Sequence, residues 1–316
     1  MKRFFKTLIL FFLPLSCFVI GLEYWMRHVP NVYSYKNGWL EKNISTVHIW
    51  TFGSSHGFYD ISPACFSKSA FNSAHSSQTI QFDRFIFEKF IDNADSLEWV
   101  ILTVSYFSLT EDMTKDKLEW WRVKNYCLYY ACPYYKGDYR YHCEVIGNPL
   151  HIYEQVLRVM KYWTCGVDDV ICDSLGLGLN HTKRERREQW VMNGEERVRL
   201  HTKNLAENES AIQANKENIE YIINRCKEKN VSVLLLTPPV YRTYYECVDS
   251  TQYALVVDAC KEWEQQNAHV HYLNLFKDSR FNEDDFYDAD HLETEGAAKL
   301  TKILNAYLFP SEKASF

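Results

Sequence analysis

Strand-like apolar segments alternate with amphipathic helices over most of this chain, and this alternation restricts the fold more than any other feature. The strand segments are short and almost continuously apolar, at 47–52, 71–72, 100–104, 231–236 and 270–275. Helical spacing of apolar residues lies between them, at 82–90, 204–229, 253–263 and 296–308. Strands that are apolar along their whole length are buried on both faces, which is typical of parallel sheets. The sequence therefore predicts an α/β fold, a three-layer α/β/α sandwich with a parallel sheet over about 44–309.

One segment interrupts the alternation and is rich in aromatic residues. It runs from about residue 110 to 202 and carries tryptophans and tyrosines in quick succession, at 120, 121, 126, 129, 130, 134, 135, 139 and 141. Ligands of open α/β folds bind at the carboxyl edge of the sheet. We expect this segment to be an inserted cap over that edge, packed by its aromatics.

The N-terminus has the pattern of a membrane anchor. Lys2, Arg3 and Lys6 precede an apolar run at 8–22 that continues to Met26, which approaches the roughly 20 residues that span a bilayer. Positive charge before the span predicts a cytoplasmic N-terminus and a body outside. Residues 1–26 are thus predicted to be an uncleaved signal anchor in the inner (cytoplasmic) membrane with a periplasmic body. A cleavable signal peptide is the alternative, but no Ala-x-Ala site follows the apolar run.

Charge and cysteine content limit the remaining classes. The formal net charge of -6 argues against a nucleic-acid partner. The ten cysteines show no paired Cys-x-x-Cys motif, so no structural metal is predicted. Five of them lie between residues 127 and 172 and could include a disulfide in an exported protein.

Two polar motifs stand at positions suited to chemistry. Gly53-Ser54-Ser55 ends the first strand, and Asp288-Ala-Asp-His291 precedes the last helix. Serine is a weak nucleophile until an imidazole takes its proton, and a carboxylate must fix the tautomer of that imidazole. An Asp three residues before a His supplies both partners from one turn. A serine esterase or acyltransferase is therefore the leading interpretation.

These motifs resemble those of the SGNH (GDSL-type) hydrolase superfamily, over roughly 47–109 and 204–308. The first block of that family, Gly-Asp-Ser, corresponds to Gly53-Ser54-Ser55, and its fifth block, Asp-x-x-His, to Asp288–His291. The second block, often Asn-x-Gly-x-Ser-Gly, aligns with residues 72–77 and puts Ser77 in place of a glycine. Segment 234–241 and Leu292 also look like the membrane-anchored branch similar to lipoteichoic-acid D-alanylation and alginate O-acetylation proteins.

The resemblance implies a role for each matching residue. Ser55 would be the nucleophile, His291 the general base and Asp288 the residue that orients it. The backbone N–H groups of Ser55 and Ser77 would form the oxyanion hole. The resemblance implies no cofactor. The third block of the family usually supplies an Asn as a further donor, whereas 105–108 here contains none.

Several alternatives accompany this assignment. Ser54 is the rival nucleophile, although in the family it replaces a buried Asp, and Asp290 is the rival orienting acid. His56 and His75 flank the site and are expected to be loop residues. The expected substrate is an acyl, and especially acetyl, ester of an envelope glycan or polymer. A second class of function is a non-catalytic scaffold that binds a glycan or assists a multi-span membrane acyltransferase.

Overall fold

Five strands form one parallel sheet in the computed structural model, which describes residues 1–147, 152–181 and 187–310. The strands are β1 (Ile49–Phe52), β2 (Ala70–Asn72), β3 (Trp99–Thr103), β4 (Ser232–Thr237) and β5 (Val270–Asn274). Their order is β2-β1-β3-β4-β5, and every neighbouring pair is parallel. The predicted α/β fold with a parallel sheet is confirmed.

Helices connect and flank the strands. They are α1 (Lys2–Arg27), α2 (Val32–Asn43), α3 (Ser55–Asp60), α4 (Ile80–Phe90), α5 (Val123–Tyr129), α6 (Glu144–Gly147), α7 (Ile152–Cys165), α8 (Arg187–His201), α9 (Glu209–Glu228), α10 (Arg242–Tyr245), α11 (Ser250–Gln266) and α12 (Thr294–Leu308). The four helices that apolar spacing predicts correspond to α4, α9, α11 and α12.

The two faces of the sheet bury alternate side chains of each strand. Ile49, Ile101 and Leu234 pack with Leu300 and Leu304 of α12 on one face. On the other face, Trp50 and Phe52 place their ring centroids 6.0 Å from Phe87 of α4, and α4 in turn packs on α9. Helices therefore cover both faces, because side chains of successive strand residues point to opposite sides.

The order of the strands reverses at β1. The chain moves from β1 to β2 on one side and then to β3 on the other. Such a switch point leaves a crevice at the carboxyl ends of the two central strands, where ligands of open α/β sheets bind. The Gly53–Ser55 motif directly follows β1 and therefore lies at this position.

The chain divides into two compact units, and the boundary near residue 38 falls within α2. The sheet unit comprises Trp39–Met113 and Cys172–Phe316, and the anchor unit comprises Met1–Gly38 and Thr114–Ile171. The segment predicted as one inserted cap is thus shared between the units, since 114–171 groups with α1 and its remainder groups with the sheet. A position of the cap over the site stays a prediction.

Within the anchor unit, α1 is the candidate membrane span. Its section Lys6–Arg27 is 22 residues long with a mean hydropathy of 1.9, which is long and apolar enough to cross a membrane. A signal sequence has the same length and composition. All ten cysteines lie among the described residues, and the structure has them as free thiols.

Candidate active site

The turn after β1 has room only for a glycine. Gly53 has φ +130°, and a Cβ built on it would lie 1.7 Å from Oγ1 of Thr103 on β3. A side chain here would clash and would also strain the backbone. Ser54 precedes the first turn of α3 and is buried, and Ser55 is the first residue of α3 and is half-buried. This strand–turn–helix is the local structure that the sequence predicts for a nucleophilic serine.

The Asp-x-x-His segment forms the predicted carboxylate–imidazole pair. Oδ1 and Oδ2 of Asp288 lie 3.0 and 3.1 Å from Nδ1 of His291. The same Oδ1 accepts the backbone N–H groups of Asp290 and His291 at 3.0 and 2.8 Å. Asp290, the rival acid, places Oδ1 at 3.6 Å from the same Nδ1. Asp288 is thus the direct hydrogen-bond partner that orients the ring.

The ring of His291 lies beside the ring of His56, the residue that follows Ser55 in α3. Nε2 of His291 is buried and has no hydrogen-bond partner among the described residues. The ring centroid of His56, the residue after Ser55, lies 5.1 Å from that of His291. Oγ of Ser55 makes no hydrogen bond to Nε2 in this state, and catalytic hydrogen bonds often tighten only when substrate is bound.

Asp60 joins the helix of Ser55 to the loop of His291. It is the last residue of α3, is fully buried, and accepts the backbone N–H of Leu292 through Oδ1 at 2.8 Å. Burial raises the pKa of Asp60 well above its usual value and outweighs the nearby His291 and the Leu292 hydrogen bond, which lower it. The Asp60 carboxyl therefore fixes the spacing between the two motifs.

Ser77 adopts the backbone conformation of the glycine that it replaces in the alignment. Its φ is +58°, which is the left-handed region that glycine favours. In the same loop, the side chain of Asn72 donates to the carbonyls of Gly57 and Ile61 at 2.7 and 3.0 Å and accepts the N–H of Ala74 at 2.9 Å. Asn72 thereby attaches the loop that carries Ser77 to α3.

The hydroxyls at the end of β3 are engaged within their own surroundings. Oγ of Ser105 lies 2.8 Å from Nδ1 of His56, and Oγ of Ser108 accepts the backbone N–H of Ser105 at 2.9 Å. Ser105 therefore positions His56. Residues 105–108 contain no Asn, the residue that usually supplies an oxyanion donor in the third block.

A buried charge network surrounds Asp290. Arg197 of α8 donates to Oδ1 and Oδ2 of Asp290 at 3.0 and 2.9 Å, and Nε2 of His56 lies 3.4 Å from Oδ2. Burial alone would raise the pKa of Asp290, but the charges of His291 and Arg197 hold it well below its usual value. Burial by itself would lower the pKa of His291. The carboxylates of Asp288 and Asp290 outweigh burial and raise that pKa to about 9.

His56, Asp290 and His291 also meet the geometric requirement for a metal site. Their ligand atoms lie within 4.8 Å of one another. However, Arg197 occupies both oxygens of Asp290, and Ser105 and Asp290 occupy the two nitrogens of His56. A cation would have to displace a guanidinium, so these residues fit an ion-pair network better than a metal centre.

His181 is a further residue beside the site. Its ring stacks between Tyr59 and Tyr287, with centroids 3.6 and 4.2 Å away, and its centroid lies 4.8 Å from that of His291. Burial lowers the pKa of His181 to about 3, and its Nδ1 has no hydrogen-bond partner within the described chain. His181 is thus a neutral imidazole held next to the candidate base.

Sequence reasoning missed Asp60, His181 and Arg197. Arg197 and His201 lie four residues apart on α8, a spacing that places them on one helix face, and His201 bonds to the hydroxyl of Tyr244 at 2.7 Å. That spacing was an available signal. The prediction of a separate cap over residues 110–202 makes no use of it. His56 and His75, which were expected in loops, lie respectively in α3 and in the loop after β2, and both are buried.

Asp83 of α4 joins the turn of Gly53 to the loop of Ser77. Its Oδ1 accepts the backbone N–H of Gly53 at 2.8 Å and the side-chain amide of Gln78 at 2.6 Å. Ser54, Ser77 and Asp83 also line a cavity of about 10 Å³. Burial outweighs both hydrogen bonds and raises the pKa of Asp83 to about 7.

This shift predicts a pH-dependent loss of stability. The folded-state pKa lies above the usual 3.8, so the folded state binds more protons between about pH 4 and pH 7, and stability falls as pH rises through that window. The full effect is about 4 kcal/mol at most. We expect the stability of Asp83→Asn relative to wild type to increase from pH 4 to pH 7 and then to level off, as measured by chemical unfolding. Asp95→Asn, at an exposed position, should show no such increase, and an equal increase in both variants would contradict the assignment.

A groove elsewhere on the sheet unit has no link to these motifs. Its volume is about 1030 Å³, and it runs along β5 and α12 past Leu273, Lys302 and Tyr307. None of the residues of the two motifs lines it. We therefore place the candidate site at the carboxyl ends of β1 and β3.

Comparisons with known proteins add little to this geometry. No protein-family model matches the chain, and no curated protein matches it. A solved structure described as "a putative platelet activating factor from Streptococcus pneumonia" is similar to it, with 11% sequence identity and a TM-score of 0.41. The similarity covers 95% of this chain and 98% of that one. The class and the site therefore rest on the parallel sheet and on the contacts described above.

Proposed function

We propose that this chain is a membrane-anchored SGNH-type serine esterase or O-acyltransferase. The observation that carries the proposal is the Asp288–His291 pair, in which Nε2 of His291 is unpartnered within the described residues and the ring lies 5.1 Å, centroid to centroid, from that of His56, the residue after Ser55. An oriented imidazole with one free nitrogen and a serine at a strand-to-helix turn are the groups that nucleophilic acyl transfer requires.

The proposed reaction has two steps, formation of an acyl-serine and its cleavage. Oγ of Ser55 attacks the ester carbonyl while Nε2 of His291 takes its proton, and Asp288 stabilises the imidazolium at Nδ1. The oxyanion is bound by the N–H groups of Ser55 and Ser77. His291 then returns the proton to the departing alcohol, and an acyl-serine remains. Water or a second hydroxyl attacks this ester by the same route in reverse, which gives hydrolysis or transfer.

The proposed substrate is an acyl ester, acetyl above all, of an envelope glycan or polymer. This proposal follows from the resemblance to the membrane-anchored branch and from an anchor that would keep the protein at the envelope.

A fluorophosphonate probe tests the proposal. An activated serine displaces fluoride from phosphorus and forms a stable P–O bond, whereas an ordinary hydroxyl does not react. We expect the purified full chain to be labelled once, Ser55→Ala to lose the label, and Ser54→Ala to keep it, as measured by intact-protein mass spectrometry. Labelling that survives in Ser55→Ala and disappears in Ser54→Ala would reassign the nucleophile.

A non-catalytic scaffold is the second candidate function. It is favoured by the engaged hydroxyls of Ser105 and Ser108 in place of the third-block Asn, and by the missing hydrogen bond between Ser55 and His291. In this case the sheet unit would bind a glycan or assist a multi-span membrane acyltransferase. Complete absence of labelling in the wild type, with an intact fold, would favour it over the enzyme.

The proposed topology places the body outside the cytoplasmic membrane. It rests on Lys2, Arg3 and Lys6 at the start of α1 and on the apolar length of that helix. A C-terminal fusion to a phosphatase that is active only outside the cytosol should be active, and the same fusion lacking residues 1–26 should be inactive. Activity of a cytosol-only reporter on the full chain would refute this orientation.

A further inference from the structure

Helix α7 of the anchor unit exposes an apolar face. Tyr153, Met160 and Trp163 are 70%, 55% and 57% exposed, and Val156 and Leu157 between them are half-buried. Residues three, four and seven apart share one side of a helix, so these five side chains form one stripe. Contiguous exposed apolar surface on a protein is typical of a surface that contacts a partner or a membrane.

The opposite side of α7 packs on the end of the candidate span. Val159 is buried in a cluster with Met26 and Val29, and Leu22 and Tyr162 pack against that cluster. Nη2 of Arg158 reaches the carbonyl of Met26 at 3.5 Å. The position of α7 along the axis of α1 is therefore fixed at residues 22–29.

This contact sets the depth at which α7 would lie in a membrane. The span Lys6–Arg27 has 22 residues, which is about 33 Å of helix against a hydrocarbon thickness of about 30 Å. Met26 consequently lies where the hydrocarbon ends and the headgroups begin. A helix that packs on Met26 and Val29 is held at the level of that boundary, where tryptophan and tyrosine rings are favoured.

We propose that α7 is an interfacial helix whose exposed stripe inserts into the outer leaflet of the same membrane that α1 spans. The inference rests on the proposed span. A phospholipid surface is the occupant that the structure favours, because α7 packs on the end of a helix of membrane-spanning length and its stripe carries Tyr153 and Trp163. The exposed charges of α7, Glu154 and Lys161, lie to one side of the stripe, as expected of an amphipathic helix in the membrane plane.

Quenching of tryptophan fluorescence by brominated lipids tests the proposal on the full chain. The protein would be reconstituted into phosphatidylcholine vesicles with bromine at acyl carbons 6 and 7 or at carbons 11 and 12. The signal of one tryptophan is the difference between wild type and its Phe variant. We expect Trp163→Phe to reveal a tryptophan that the shallow bromines quench at least twofold more strongly than the deep ones.

Two further variants make the outcome decisive. Trp263→Phe removes a tryptophan buried in the sheet unit and should reveal no quenching. Trp25→Phe reports the span itself, since Trp25 lies on α1 and is 55% exposed. Quenching of Trp25 without quenching of Trp163 would overturn the inference and leave the span standing. Loss of both signals would overturn the span and this inference with it, while the fluorophosphonate result would still decide the proposed chemistry.

Discussion

Ser55→Ala is expected to abolish hydrolysis of a small acetyl ester, with a loss in kcat of about 10⁶-fold, the order seen when the nucleophile of a serine triad is removed. The change deletes one oxygen from a half-buried side chain that makes no hydrogen bond in the described chain, so the melting temperature should stay near that of wild type. His291→Gln should lose as much activity, because it removes the base. Glutamine retains much of the buried side-chain volume, so the melting temperature should change little. Steady-state kinetics and thermal unfolding on the same samples measure both effects.

Two comparisons decide whether the three residues act as a unit. Asp288→Asn should cost less, about 10⁴-fold, because this residue orients the ring and makes no bond to substrate. The double variant of Ser55 and His291 should be little worse than either single variant. Ser54→Ala is the matched control, since Ser54 is buried one residue earlier and lines the cavity next to Asp83. If neither serine matters for turnover, the chain has no serine nucleophile and the scaffold function is correct.

The sheet was predictable because strands that are buried on both faces are apolar along most of their length. Ile49, Ile101 and Leu234 face one helix layer while their neighbours face the other. Both sides of each strand therefore favour apolar residues, and the apolar runs are visible in the sequence. The edge strand β2 is only three residues long, yet its end was still marked by Phe71 and Asn72. Local patterns of this kind need no knowledge of distant contacts.

The anchor unit was not predictable in the same way. Its helices α1 and α7 are more than a hundred residues apart in sequence, and their contact depends on Met26, Val29 and Val159. Each of these residues alone resembles any other apolar residue of an amphipathic or membrane-spanning helix. Only the tertiary packing shows that part of the aromatic segment belongs with the N-terminal helix.

The candidate site likewise contains contacts that are local in sequence and contacts that are not. Asp288 and His291 interact within one turn, so the sequence alone could pair them. Asp60, Asp83 and Arg197 act through contacts with Leu292, Gly53 and Asp290, respectively. These contacts span 232, 30 and 93 residues, and a buried acid cannot be told from a surface acid without the fold.

The rate of ester hydrolysis should rise with pH through an apparent pKa near 9. The two carboxylates next to His291 overcome the effect of burial and raise its pKa to about 9, and only the neutral imidazole can accept the proton of Ser55. Below that pKa the neutral fraction falls tenfold per pH unit, so kcat/KM at pH 7 should be about 1% of its plateau value. A pH–rate profile between pH 6 and 10 measures this rise, after correction for spontaneous hydrolysis.

Stability gives an independent measure of the same proton. The folded-state pKa of His291 lies above its usual value of 6.5, so its ion pair with Asp288 stabilises the fold below pH 6.5, and the contribution is lost as pH rises to about 9. The loss should approach about 3 kcal/mol as an upper limit. His291→Gln should not show this part of the pH dependence. A rate profile with a pKa near 9 but no matching change in stability would assign the titration to another group.

Removal of the Asp290 carboxylate should shift the pH–rate profile to lower pH. Asp290 lies 3.6 Å from Nδ1 of His291 but is not its hydrogen-bond partner, so its charge raises the pKa without orienting the ring. Asp290→Asn should lower the apparent pKa and increase the fraction of active base at pH 7. Because this variant leaves the half-buried Arg197 without its carboxylate, Asp290→Asn combined with Arg197→Gln is the better-folded comparison. Its reference is Arg197→Gln alone, because the charge of Arg197 lowers the pKa of His291. An apparent pKa that stays near 9 in both variants would show that Asp290 does not act on the base, and Asp288 alone would then have to account for the shift.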